Sequence, residues 1–296
     1  MCYRAMRKDF GSVCLLVAGC VVALLAAVAV AAPAAKAPAS KADKSGKAAK
    51  PDKPAKPTKP AQKTPYEPTS HYTIMNMEGW KVYVNKALLP GGAHAEMGAK
   101  AIERLRGDMV LVKHWVADEP LAKLLKVGIW LELDSTNGPH GRTPVFHYHP
   151  FLGWLKKMDF HPGKHKCVEY SRAASLVKNR RGKATAKILL HELAHAYHDQ
   201  ILSFNDPDIL AAHKRAREGG KYPKNDWVVR ANHKEFFAGV STRYFGTKEE
   251  REALVERDPI LLKKLQKVWG KPKAYMDSPP PKGKTSPGEP RSGGAK

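Results

Sequence analysis

The chain has 296 residues, of which 43% are hydrophobic and 27% are charged, and its formal net charge is +23. This composition excludes a wholly disordered chain and a disulfide-rich one, because it supplies apolar side chains for a core and only four cysteines. Residues 1–32 carry +2, residues 33–65 carry +7 and residues 271–296 carry +4, which leaves +10 for residues 66–270. Much of the basic excess therefore lies outside the central part of the chain.

The first 32 residues have the pattern of a targeting segment. A basic stretch, RAMRKDF, precedes an uncharged apolar run of about twenty residues that ends in the small residues AVAVAA. Three interpretations fit: a cleaved secretory signal, an uncleaved membrane anchor, and a lipoprotein signal, since VAGC resembles a lipobox that would lipidate Cys20. All three place the rest of the protein outside the cytoplasm, either secreted, periplasmic or anchored. Only Cys167 lies beyond this segment, so no disulfide is expected within the folded part.

Two segments have the composition of disordered chain. Residues 33–65 are rich in Lys, Pro and Ala, which predicts a disordered, extended linker. Its positive charge leaves open an electrostatic association with an anionic envelope. Residues 271–296 are predicted to form a disordered tail, so a single domain is expected at residues 66–270.

Within this domain the pattern predicts strands first and helices later. Strands are predicted in HYTIMNMEGWKVYVN, GIWLELD and CVEYSRA, where apolar and polar residues alternate or β-formers cluster. Helices are predicted in EMGAKAIERLRGDMVLVKHWV, PLAKLLKV, the uninterrupted stretch Ala184–Phe204, NDPDILAAHKRAREGG, NHKEFFAGVSTRYF, KEEREALVERD and PILLKKLQKVW. This order is typical of an α+β domain with a small sheet and a helical C-terminal part.

The segment ILLHELAHAYHDQ contains the HExxH pattern. His191 and His195 are four residues apart, so on a helix their rings lie on one face and can bind a single cation. Glu192 follows the first histidine, where it can act as general base toward a metal-activated water. His198 and Asp199 lie too close along the same helix to complete a tetrahedron, and we expect them to be supporting or surface groups.

A catalytic zinc site usually has three protein ligands, so one more is needed. Glu235 in NHKEFFA is a candidate because a carboxylate placed among aromatic residues requires a cation to offset its burial. The alternative is an ordinary first-turn glutamate that the helix dipole stabilises.

HELAHAYHD followed some forty residues later by NHKEFFA resembles the glutamate-zincin metallopeptidases. The resemblance is closest to the catalytic domain of the anthrax toxin lethal factor and related secreted bacterial proteins, and it extends over about residues 168–269. It implies a zincin-like fold and one Zn²⁺ per chain held by His191, His195 and Glu235, with Glu192 as general base. A peptide or protein is the implied substrate.

Two positions depart from that family. Gly239 stands where the family often has a second acid that orients a ligand histidine, and Val228 stands where it often has a tyrosine near the oxyanion. Tyr222, His233 and Tyr244 are candidate substitutes for the missing helper. Weakened or lost activity is therefore one of the expectations.

Four further histidines precede the HExxH segment: His147, His149, His161 and His165. Their spacing matches no ligand motif, which favours a structural or substrate-groove role over a second metal site.

Three functions compete at this point. The sequence predicts an extracytoplasmic zinc metallopeptidase, with an envelope-associated binding protein that has a structural or vestigial zinc site as the alternative. Nucleic-acid binding is the third, but the chain has no nucleic-acid motif, so no specific nucleic acid is expected.

Overall fold

The computed structural model describes residues 66–138, 141–142, 144–178 and 183–281. The predicted targeting segment and linker, residues 1–65, lie outside the described residues. Among the residues that are described, no helix is both long and apolar enough to cross a membrane.

A mixed five-stranded sheet forms one layer of the fold. Its strand order is β1-β2-β3-β7-β6, and β4 pairs with β5 in a separate ribbon. The strands are β1 (Tyr72–Met77), β2 (Trp80–Asn85), β3 (Ile129–Leu131), β4 (Asn137–Gly138), β5 (Gly141–Arg142), β6 (Phe146–Tyr148) and β7 (Val168–Tyr170). Strands β2, β3 and β7 run parallel, whereas β1 and β6 are antiparallel to their neighbours. Strand β6 is thus an edge strand.

The hairpin at the other edge follows from its turn residues. Glu78 and Gly79 both have positive φ, at 53° and 98°, which is the backbone of a two-residue type I′ turn. The turn fixes the β1–β2 register, in which Met77 pairs with Trp80 and both side chains are fully buried.

Ten α-helices are present in the described residues. They are α1 (Ala95–Trp115), α2 (Asp118–Leu124), α3 (Leu152–Lys157), α4 (Ala173–Lys178), α5 (Ala184–Tyr197), α6 (Pro207–Glu218), α7 (Trp227–Arg230), α8 (His233–Tyr244), α9 (Lys248–Arg257) and α10 (Pro259–Trp269). Side-chain caps start several of them: Asp206 for α6, Asn232 for α8 and the Thr247 capping box for α9.

The core lies between the sheet and two long helices. Helix α1 buries Ala101, Leu105, Met109 and Val112 at helical spacing, and it packs against α5. Helix α5 also packs against α8 and against strand β6. The HExxH segment is therefore held between the sheet edge and the C-terminal helices.

The predicted α+β class with a small sheet is confirmed, and so are the main helices. Helix α2 begins at Asp118, two residues before the predicted start at Pro120, because the two acidic residues there suit a first turn. The uninterrupted segment ends as α-helix at Tyr197 and continues as one π-helical turn, His198–Leu202.

The folded part also extends past the expected boundary at Gly270. The N–H of Lys273 donates to Trp115 O, and the N–H of Met276 donates to Phe245 O. Because Met276 is also buried, the first residues of the predicted tail belong to the packed domain.

Candidate metal centre

Helix α5 places His191 and His195 one turn apart. Their ring centroids are 4.7 Å apart and their Nε2 atoms are 3.1 Å apart. The helix is anchored by its apolar face, where Leu189 and Leu193 are fully buried. Both imidazoles consequently point toward one spot.

Glu235 reaches that spot from the start of α8. The side chain of Asn232 accepts hydrogen bonds from Lys234 N and Glu235 N, which fixes the beginning of the helix. Glu235 Oε2 then lies 3.2 Å from His191 Nε2 and 3.5 Å from His195 Nε2. Glu235, which lies forty residues after His195 in the chain, is thus brought to the two histidines.

The three atoms are spaced as zinc ligands would be. Tetrahedral zinc with bonds of about 2.0–2.1 Å separates neighbouring ligand atoms by roughly 3.3 Å. The observed separations are 3.1, 3.2 and 3.5 Å. The side chains of His191 and Glu235 are 16% and 21% exposed, so the group remains accessible from one side. This donor set fits a divalent metal with an open fourth position.

The electrostatics of the cluster couple its members. Burial by itself would raise the pKa of Glu235, but His195 and His191 outweigh burial and hold that pKa well below its usual range. Burial by itself would lower the pKa of His195, yet the Glu235 carboxylate raises it overall. Positive charge at this position therefore stabilises the partly buried carboxylate.

Glu192 lies beside the cluster and is held by the sheet. Its Oε2 accepts the backbone N–H of Tyr148 in β6 at 2.9 Å. Its charge also contributes to the raised pKa of His195, so it acts on the candidate metal ligands without being one of them.

The two other polar residues of the segment do not join the three ligand candidates. Asp199 accepts a hydrogen bond from the Tyr148 hydroxyl at 2.7 Å and pairs with Lys166. His198 is fully buried against Phe204 and Phe237, and burial lowers its pKa to about 3. Asp199 therefore supports strand β6, and His198 is part of the core.

The three candidate helpers have other contacts. The Tyr244 hydroxyl donates to Gly270 O at 2.7 Å, the Tyr222 ring packs against Phe236, and the His233 ring packs against His198. In the part of the chain that the structure describes, no hydrogen bond joins any of these three residues to the metal candidates. Their contacts are those of packing residues.

A second buried polar cluster lies under β6 and β7. His149 Nε2 is 2.6 Å and His147 Nε2 is 3.4 Å from Glu169 Oε2, and Lys164 Nζ is 2.7 Å from Glu169 Oε1. Lys164 also pairs with Glu132 at 2.8 Å. These atoms could hold a cation, but the separation of 2.6 Å is that of a hydrogen bond, and Lys164 already supplies positive charge.

His161 and His165 lie outside that cluster. His161 Nε2 is 2.9 Å from Thr69 Oγ1, and His165 Nε2 is 3.2 Å from Pro150 O.

His149 belongs to the cluster itself. Burial lowers the pKa of His149 to about 3, consistent with a neutral ring that donates to Glu169. The geometry agrees with the structural role expected for these histidines.

Three residues around the candidate metal ligands were not predicted from the sequence. Tyr148 contacts both Glu192 and Asp199, Trp227 places its ring 6.1 Å from that of His191, and Lys234 adjoins Glu235. The apolar-polar alternation in VFHYHP was a signal for strand β6. Nothing local in the sequence indicated its pairing with β7.

Comparison with known proteins adds no relative: neither a scan against protein-family models nor searches of curated proteins and of solved structures found a match. The interpretation of the site thus depends on its own residues and on the resemblance carried by HELAHAYHD and NHKEFFA.

Proposed function

We propose that the chain is a zinc-dependent metallopeptidase of zincin type that acts outside the cytoplasm. The observation that carries this proposal is the convergence of His191 Nε2, His195 Nε2 and Glu235 Oε2 within 3.5 Å of one another. Two neutral imidazoles and a carboxylate are a common ligand set for catalytic zinc.

Each residue has a role in this proposal. His191, His195 and Glu235 would hold a Zn²⁺, which when bound would polarise water and the substrate carbonyl. Glu192 accepts a proton from the attacking water and delivers it to the leaving amine. The Tyr148 N–H fixes the Glu192 carboxylate in place before reaction.

The neighbouring edge strand supports a peptide as the substrate. Val145 O and His149 N are bonded to Ser171 N and Cys167 O, so alternate residues of β6 face β7. The backbone groups of Phe146 and Tyr148 consequently face away from β7, on the side where Glu192 accepts the Tyr148 N–H. An extended peptide can pair through its own backbone with the groups of this edge other than the Tyr148 N–H.

One observation favours the second candidate, a binding protein with a structural or vestigial zinc site. Position 239 is a glycine, so the acid that the family often has there is absent. Val228 fills the space in which a side chain at position 239 would lie. Loss of such a supporting group weakens metal binding or rate by about 10- to 100-fold.

The deciding experiment compares the purified full-length protein with Glu192→Gln. This change preserves size and an acceptor for Tyr148 N–H but removes the base. We expect one zinc per chain in both proteins and cleavage of a broad peptide library by the wild type only. Zinc in both with cleavage by neither would favour the binding protein, and absence of zinc from the wild type would refute both candidates.

A further inference from the structure

Lys234 differs from four other partly or fully buried lysines of this domain, because it forms no ion pair with a carboxylate. Lys164, Lys166, Lys187 and Lys264 each form an ion pair with an acidic side chain. Lys234 is also partly buried, yet it makes no ion pair with any carboxylate in residues 66–138, 141–142, 144–178 and 183–281. Asp199 and Glu235 attract this ammonium from beyond ion-pair distance, so the hydration that it has lost is only partly offset.

Two phenylalanine rings hold this ammonium. Lys234 Nζ lies 4.4 Å from the ring centroid of Phe204 and 4.9 Å from that of Phe151, and these two rings are 6.3 Å apart. Phe151 is 52% exposed, so one wall of the cluster faces solvent. The arrangement fixes a single positive charge against an apolar, open wall.

The cluster adjoins the metal centre. Lys234 directly precedes Glu235, and its charge opposes protonation of His195. Phe151 follows the end of strand β6 by three residues. A peptide paired along β6 would therefore pass beside this cluster.

We propose that Phe151, Phe204 and Lys234 form a subsite that binds a carboxylate of the substrate close to the scissile bond. A single ammonium matches a monovalent anion, and the rings suit the apolar stem that carries it. A phosphate group, with nearly twice the charge, is usually bound by several basic groups. The carboxylate belongs either to an Asp or Glu side chain or to the C-terminus of the peptide. This inference rests on the proposed peptidase function and names its substrate class.

Binding to the zinc-loaded Glu192→Gln protein tests the subsite without requiring catalysis. The probes are fluorescein-labelled octapeptide pools in matched pairs, read by fluorescence anisotropy. In one arm a single position holds Glu or Gln and the C-terminus is amidated. In the other arm no acidic side chain is present, and the C-terminus is free or amidated.

In one of the two arms, we expect the peptide pool that carries the carboxylate to bind about 10- to 100-fold more tightly than the matched pool that lacks it. This is the range for a charge-assisted hydrogen bond. Adding Lys234→Met should abolish that preference, whereas Lys234→Arg should retain most of it. Methionine packs well between aromatic rings, so this variant should fold. Lys263→Met removes the same charge from an exposed position on α10 and should leave the preference intact.

Three results would overturn the subsite: no preference in either arm, a preference that survives Lys234→Met, or an equal loss in Lys263→Met. Failure of the peptidase proposal has a different signature. In that case the wild type cleaves nothing, while the carboxylate preference in binding persists.

Discussion

Val228 and Gly239 are in direct contact, so the two departures from the zincin pattern are one structural feature. A Cβ placed at position 239 would lie 2.6 Å from both methyl groups of Val228. Val228 is 2% exposed and lies in the short helix α7, which packs on α8. The absence of a side chain at 239 thus allows α7 to approach the helix that carries Glu235.

This contact predicts strong coupling between the two positions. Gly239→Ala should lower the free energy of unfolding by about 1–3 kcal/mol, because the new methyl overpacks against Val228. Val228→Ala should lower it by about 1.6 kcal/mol through loss of two buried carbon groups. In the double variant the deleted methyls make room for the added one, so the loss should be smaller than the sum.

Urea unfolding of the four proteins gives the coupling free energy, which we expect to be about 0.5–3 kcal/mol in favour of the double variant. Additive losses would show that the space at position 239 is filled by something other than Val228.

Local sequence signals predicted the helices and the candidate ligands, but not the surroundings of those ligands. The HExxH spacing and the Asn232 cap are local, so His191, His195 and Glu235 could be placed on helices before their meeting point was known. Their convergence depends on the packing of α5 against α8. Spacing alone left the role of Glu235 undecided, and the resemblance to the glutamate-zincins indicated it as the third ligand candidate. The contact of Tyr148 with Glu192 depends on edge-strand pairing, which is a tertiary property.

Zinc should stabilise the folded protein through the three proposed ligands. With free zinc at a hundred times its dissociation constant, the wild type should gain about 2.7 kcal/mol and a correspondingly higher Tm. Glu235→Gln removes the only charged ligand, so it should require at least about tenfold more zinc for the same shift. Thermal melts over a zinc titration measure both effects.

Glu218→Gln is the matched control, since Glu218 is an exposed residue at the end of α6. It should behave as the wild type. An unchanged zinc response in Glu235→Gln would remove Glu235 from the ligand set while leaving the two histidines in it.

Lys164 should be among the most sensitive positions in the domain. Its ammonium is almost fully buried and pairs with both Glu132 and Glu169, so Lys164→Met leaves two buried carboxylates without their cation. We expect the free energy of unfolding, measured in urea, to fall by about 3–5 kcal/mol, or the variant to fail to fold.

Lys187→Met provides the comparison, because the Lys187–Glu250 pair is about one third exposed on each side. Its loss should cost at most about 1 kcal/mol. Similar losses in the two variants would mean that the cluster around Glu169 obtains its positive charge elsewhere.

Asp108 should give the domain a pH-dependent stability that does not involve the metal centre. Burial raises the pKa of Asp108 to about 7, against the opposing effects of Arg104 and of the Thr185 hydrogen bond. In the unfolded chain the same carboxyl should titrate near 3.9. Between these two values the folded state keeps a proton that the unfolded state has released.

The direction in which stability changes with pH follows from this difference in proton binding. Stability changes with pH in proportion to the protons bound by the unfolded state minus those bound by the folded state, which is negative here. The Asp108 contribution should therefore be fully present below about pH 4 and decline by up to about 1.4 kcal/mol per pH unit toward pH 7.

Asp108→Asn removes this titration, so the difference in unfolding free energy between wild type and variant isolates it from all other groups. Zinc-free protein in chelator is the appropriate sample, because metal binding has its own pH dependence. We expect the wild type to lose stability relative to Asp108→Asn as pH rises from 4 to 7. A difference that stays constant over this range would mean that Asp108 is ionised throughout, with Arg104 as a sufficient partner at 3.3 Å.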